Sequence, residues 1–186
     1  MRRILPACIC FLFLIGCSSG QGALDAGTEL RNNIQNAAGG SFQSVITADY
    51  GEEIYQFTMD CQFDQQGSLT FIVTEPESIS GISGKIDGGA GSLTFDDHYL
   101  AFEMLADGQL TPVSAPWLMI KVLRCGYISA CAKENDGFRL RFDDSYTGEN
   151  LTAEVRLDSN KCVSSCEFLW DGRRILSLKV SDFRLL

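Results

Sequence analysis

Tyr55-Gln56-Phe57-Thr58-Met59-Asp60-Cys61-Gln62-Phe63 alternates apolar and polar residues without a break. A period of two places every second side chain on one face of an extended chain, so this stretch reads as a strand with one buried and one wet face. The same period continues outward. Phe42, Ile46, Ala48 and Tyr50 alternate with polar neighbours before a turn at Gly51-Glu52. After Asp64-Gln65-Gln66-Gly67, Leu69, Phe71 and Val73 alternate with Ser68, Thr70 and Thr74. Three such runs joined by tight turns predict an antiparallel meander. Pro76 stops it, residues 77–84 read as irregular, and Asp87-Gly88-Gly89-Ala90-Gly91 reads as a turn. Leu93/Phe95 and Leu100/Phe102/Met104 predict a strand pair around Asp96-Asp97-His98. Toward the C-terminus Phe138–Phe142, Leu151–Leu157, Cys166–Trp170 and Leu176–Val180 predict four more strands, the last two joined by a hairpin at Asp171-Gly172.

Two segments change period. Leu24, Leu30, Ile34 and Ala37/Ala38 recur on one face of a helix that Gly39-Gly40 ends. Ser114-Ala115-Pro116 opens a second helix, with Ser114 as cap and proline in the first turn. From Trp117 to Leu123 it is apolar almost all round, with Lys121 and Arg124 as its polar edge, which predicts burial. The fold class is therefore α+β: about nine antiparallel strands in one large curved sheet, its apolar side covered by two helices. So few helices over so large a sheet predict a partly open apolar concavity, the kind of place where apolar ligands bind.

The N-terminus is built differently. Arg2 and Arg3 precede an apolar run, Ile4 to Ile15, too short for the ~20 residues a membrane span takes. A positive start and a short apolar core are the pattern of an export signal. Its end, Leu14-Ile15-Gly16-Cys17, resembles the lipobox of bacterial lipoproteins. The resemblance implies cleavage after residue 16, transfer of a diacylglyceryl group to the Cys17 thiol and further acylation of the palmitate kind. Residues 1–16 are then a signal peptide, residues 17–23 the lipidated cysteine and a flexible polar tether, and residues 24–186 one domain. That places the domain in the cell envelope, on the outer face of the cytoplasmic membrane or, in a diderm, at the outer membrane, with the bilayer as its partner through Cys17. Two or three acyl chains hold far more firmly than one, at about 0.8 kcal/mol per buried CH₂. The chain carries −9, and losing Arg2 and Arg3 leaves −11. Such acidity argues against nucleic acid as a partner and against general adhesion to anionic headgroups.

Five cysteines remain beyond Cys17: Cys61, Cys125, Cys131, Cys162 and Cys166. An odd number outside the cytoplasm leaves at least one thiol free or bonded between molecules. Cys61, on the apolar face of its strand, is expected to be the free one. Disulfides are expected among Cys125, Cys131, Cys162 and Cys166, with no connectivity assigned. The same four are poorly spaced for zinc, and no metal or cofactor is expected. The sole histidine, His98, sits in a turn, and the carboxylate pairs Glu52-Glu53, Asp96-Asp97 and Asp143-Asp144 also fall in turns, where acids are ordinarily solvated. The sequence does not read as an enzyme. Phe57, Met59, Phe71, Phe102, Met104, Trp117, Ile120 and Phe168 carry two readings: plain core, or a lining for acyl chains.

The order of elements resembles the lipoprotein-carrier superfamily, the LolA and LolB proteins and the mycobacterial LppX/LprG-type lipoproteins, and is closest in character to uncharacterised Gram-positive members. The points of contact are a helix at Leu24–Ala38 leading into the meander Phe42–Thr74, the Pro76 break, the hairpin through Asp96–Phe102, the helix Pro116–Arg124, and closing strands through Phe168–Leu176 to Phe183. The resemblance implies an unclosed half β-barrel lidded by helices, and a non-enzymatic role binding acyl chains, lipids or lipoproteins. Unlike the soluble carrier, this chain bears an anchor cysteine, and none of its arginines matches by sequence the carrier's lid-locking arginine. The alternative is a structural or interaction lipoprotein of the cell envelope, or of spore formation or germination, with a filled core.

Overall fold

A computed structural model describes residues 18–87, 90–92, 110–143 and 151–186. The signal peptide, Cys17, the strand pair around His98 with Phe102 and Met104, and Asp144 lie outside the described residues. Within them the chain forms α1 (Ser18–Asn36), β1 (Gly39–Asp49), β2 (Ile54–Asp64), β3 (Leu69–Glu75), β4 (Ser83–Asp87), β5 (Ala90–Ser92), α2 (Ala115–Cys125), β6 (Tyr127–Glu134), β7 (Gly137–Asp143), β8 (Leu151–Asp158), β9 (Val163–Trp170) and β10 (Arg173–Leu185).

The strands make a single antiparallel sheet in the order β5-β4-β3-β2-β1-β10-β9-β8-β7-β6. Two five-stranded meanders, one from each half of the chain, meet at the β1–β10 seam, where Ser44 pairs with Val180 and Ile46 with Leu178. Among the described residues no ladder joins the two ends of this order, β5 and β6. The sheet is thus an unclosed barrel, as expected. Seven of the nine expected strands are present. The additions are β4 and β5, where the sequence reads as irregular and turn, and β6, which it does not announce.

Alternation sorts the sheet into two faces. Phe57, Ile46, Leu178, Cys166, Val155, Leu140 and Cys131 form one row of inward side chains across β2, β1, β10, β9, β8, β7 and β6. The first six are buried and Cys131 is half-buried. A second row runs Ala48, Leu176, Phe168, Ala153, Phe142 and Ile128. The outer face carries charges that pair with one another across strands: Arg139 with Glu134 (3.2 Å), Arg156 with Glu134 (3.6 Å) and Glu167 (3.7 Å), and Arg174 with Glu167 (3.2 Å). Exposed pairs of this kind contribute little to stability and mainly keep the face wet.

Both helices lie on the inner side. In α1 the buried face is Ala23, Ala26, Leu30 and Ile34; Leu30 and Ile34 lie on it as expected, whereas Leu24 is 38% exposed. Small residues decide the difference. A Cβ added at Gly27 would stand 2.9 Å from a Leu140 methyl of β7, so only a narrow face lets the helix lie this close to the sheet. At the exit from α1, a Cβ at Gly40 would stand 2.5 Å from the Phe63 ring and 2.6 Å from the Arg184 carbonyl, which is why glycine opens β1. The expected cap of α2 is also revised. Ser114 ends a short 3₁₀ turn, and its hydroxyl donates to the Thr111 carbonyl (2.8 Å) rather than to the first turn of the helix.

Candidate functional site: the covered inner face

The residues expected to line a concavity do converge. Phe57, Met59 and Phe71 project from β2 and β3, Phe168 from β9 and Ile120 from α2 into one apolar cluster, with Trp117 packed half-buried against it. Phe102 and Met104 lie outside the described residues. Met59, Ile120 and Phe168 have 0% exposure. A side chain with no accessible surface has no water-sized space beside it, open or enclosed. At these positions the inner face is close-packed in the state seen here.

What holds the helices over the sheet is a set of polar contacts at one corner. Arg31 of α1 donates from Nε to the Leu123 carbonyl (3.1 Å) and from Nη2 to the Gly126 carbonyl. Gln35, one turn on, donates to the Arg124 carbonyl (2.7 Å). Three carbonyls at the C-terminal end of α2 are thereby satisfied by α1, and a cation sits at the negative end of a helix. Arg124 in turn donates from Nη2 to the Gln65 carbonyl (2.7 Å) and from Nη1 to the Asp64 carbonyl (3.5 Å) in the β2–β3 turn. Arg31 and Arg124 thus fasten α1 to α2 and α2 to the sheet. The sequence marks Arg124 only as a polar edge and gives no sign of Arg31, because the partners of both are backbone carbonyls far away in the chain.

One buried group has no partner among the described residues: the Ser44 hydroxyl, at 0% exposure on the inner face of β1. The buried thiols are Cys61 and Cys166, and burial pushes both well above the usual thiol range, with Asp60 and Glu167 beside them adding to the effect. A groove of about 510 Å³ beside β1, β2, β3 and β10 has a mixed lining, with Gln43, Asp60, Gln62, Asp182 and Arg184 beside Phe42, Phe71 and Ile72.

The expected disulfides are corrected. Cys125, Cys131, Cys162 and Cys166 are all free, as is Cys61. Cys131 and Cys166 share a row but stand three strands apart, about 14 Å at ~4.8 Å per strand, against the ~7 Å a disulfide spans. Cys162 precedes the strand that carries Cys166, and Cys125 ends α2 while Cys131 lies midway along β6, so extended chain separates each close-in-sequence pair. Among the described residues no three His, Cys, Asp or Glu side chains gather as metal ligands. Glu52 and Glu53 lie exposed in the β1–β2 turn.

No family model matches the chain, and no curated protein sequence matches it. Solved structures do resemble it. A LolA superfamily protein from Nitrosomonas europaea is 13% identical with a TM-score of 0.44, over 91% of this chain and 94% of that one. An outer membrane lipoprotein-sorting protein domain from Vibrio parahaemolyticus is 11% identical with a TM-score of 0.40, over 89% and 92%. MucB of Pseudomonas aeruginosa, in its complex with MucA, is 13% identical with a TM-score of 0.38, over 87% of this chain and 57% of that one. At these identities and TM-scores the likenesses are distant.

Proposed function

We propose that the chain is a membrane-anchored, extracytoplasmic, non-enzymatic lipoprotein, held through lipidated Cys17, whose inner sheet face takes up acyl chains of a lipid or of another lipoprotein when the α1–α2 cover moves aside. One observation carries this reading. An apolar face seven strands wide, in a sheet that does not close, is covered by two helices fastened through side chain-to-carbonyl hydrogen bonds at Arg31, Gln35 and Arg124. The two sides of the exchange are of similar magnitude. Each bond of the fastening is worth about 1–3 kcal/mol. Each methylene taken from water returns about 0.8 kcal/mol. An acyl chain of about ten methylenes returns roughly 8 kcal/mol, within the range of about 4–12 kcal/mol for the four bonds of the fastening. The filled inner face defines the unliganded, closed state, so uptake needs the cover to shift and side chains to repack.

The same close packing favours a second reading, an interaction lipoprotein with a permanently filled core. Titration of the Cys17→Ser chain with a fluorescent long-chain fatty acid separates the two. Saturable binding that strengthens in Arg31→Ala supports uptake. Absence of binding in both proteins, with no lipid copurified by native mass spectrometry, leaves the filled-core reading.

A further inference from the structure

Among the described residues the buried polar ones are Ser44, Thr58 and Ser68, and the fold satisfies two of the three. The Thr58 hydroxyl donates to the Glu75 carboxylate (3.2 Å) and the Ser68 hydroxyl to the Asp87 carboxylate (3.0 Å). The Ser44 hydroxyl, with no exposure, has no partner. It stands at the middle of β1, five residues from Gly39 and five from Asp49, on the strand that forms the seam with β10. The inward side chains around it are Phe42 and Ile46 along the strand, Met59 opposite on β2 and Val180 opposite on β10. None of the four carries a hydrogen-bonding oxygen or nitrogen. An ordered water is no substitute at such a place, since a buried water needs about three polar partners. Asp60 and Lys179, the charged residues next in sequence to Met59 and Val180, alternate to the outer face and are exposed.

We infer that Ser44 is the point at which the inner face recognises the carbonyl oxygen of an uncharged acyl ester, its hydroxyl donating to that oxygen. The inference rests on the reading that this face takes up acyl chains, and it names the class of lipid. Apolar side chains hold any hydrocarbon alike, whereas a single polar group among them fixes orientation and selects what carries its complement. One hydroxyl is enough for an ester oxygen. An ionised carboxylate needs several donors or a cation once it leaves water, and Phe42, Ile46, Met59 and Val180 offer neither. From Ser44 about 17 Å of strand runs to either end of β1, at ~3.4 Å per residue, so the acyl tail lies toward one end and the alcohol side of the ester toward the other. The neighbours that must give way are the ones able to. Met59 is unbranched and adaptable, and Val180 is only half-buried. The bound ester thereby supplies the partner that the closed state lacks, in a fold that satisfies its other buried polar side chains.

The test is displacement of a fluorescent long-chain fatty acid from the Cys17→Ser chain by monopalmitoylglycerol and by monohexadecylglycerol, two uncharged lipids that differ only in the ester carbonyl. We expect the ester to displace the reporter at about a fivefold lower concentration than the ether. Ser44→Ala should bring the ester to the level of the ether and leave the ether where it was. Ser68→Ala, which removes a hydroxyl already bonded to Asp87, should keep the full preference, so a merely structural effect of losing a buried hydroxyl is read separately. Urea midpoints of both variants report that they are folded. Equal displacement by the two lipids in the parent overturns the inference, and so does an ester preference that survives Ser44→Ala. Ionised palmitate displacing better than the ester overturns the choice of an uncharged ligand. In each of these cases displacement by the ether still supports uptake. Failure of the reporter and of both lipids to bind the parent overturns the uptake reading, and the role of Ser44 with it.

Discussion

Two thiols and one hydroxyl are the most telling single groups. Cys61 and Cys166 are buried on the inner face, and burial holds both in the neutral form. In the folded protein at neutral pH an alkylating reagent should modify exposed Cys125 and Cys162 and leave Cys61 and Cys166 until denaturant is added, which peptide mass spectrometry reads directly. The linkage has a definite sign. A thiol whose folded pKa lies above its unfolded value contributes stability at lower pH and loses it as pH climbs past the unfolded value, 9.0 here. Well above that, each such thiol steepens the loss by roughly 1.4 kcal/mol per pH unit. Urea midpoints measured from pH 8.5 to 10.5 should therefore fall less steeply in Cys61→Ala or Cys166→Ala than in the parent. Ser44 acts oppositely to most core residues. Its hydroxyl is buried without a partner, and leaving such a group unsatisfied costs about 1–3 kcal/mol. Ser44→Ala should match or exceed the parent in urea stability, whereas Met59→Ala beside it in the ladder should lose about 2–5 kcal/mol.

At the scale of elements the covering helices depend on how closely they sit and on where they are fastened. Gly27→Val should destabilise by about 1–3 kcal/mol through overlap with Leu140, despite the better helix propensity of valine, in urea titrations. Arg31→Ala should lose about 1–3 kcal/mol from its two carbonyl contacts, and should also raise the exchange of α2 amides with deuterium while those of β8 and β9 stay slow. These two positions show why the sequence reading stopped where it did. The strands β1, β2, β3 and β7–β10 are legible because each alternates large apolar with polar residues. β6 is not, because Tyr-Ile-Ser-Ala-Cys-Ala-Lys carries small residues on both faces of an edge that a helix, rather than another strand, covers. The first turn of α1 is hidden by two glycines and two serines whose helicity comes from docking on β6 and not from propensity. On the buried face of α1 hydrophobicity finds Leu30 and Ile34 but misplaces Leu24, because alanine and glycine mark the face better than leucine where the backbone must approach. The candidate site was legible as a set of apolar residues, while whether they enclose space or fill it depends on three-dimensional packing that alternation does not encode.

The whole molecule hangs on one seam. β1 and β10, more than a hundred residues apart in sequence, supply the only ladder that joins the two meanders among the described residues. Pairings this distant must form late and against chain entropy, which slows folding. Leu178→Ala, at the point where the seam and the longest inward row cross, should cost about 2–5 kcal/mol and fall mostly on the cooperativity of the transition between halves, seen as separate urea transitions for the Trp117 and Trp170 environments. The missing ladder has the opposite effect. In a closed barrel, strand number and stagger set the girth, and widening it means breaking hydrogen bonds around the ring. Among the described residues nothing bridges β5 and β6, so these two margins can spread apart like the lips of a purse with every described ladder intact. Under the proposed uptake, such a container would admit a long flexible guest sideways and adjust its bore to one tail or several, where a complete barrel would accept only what can be threaded through its end.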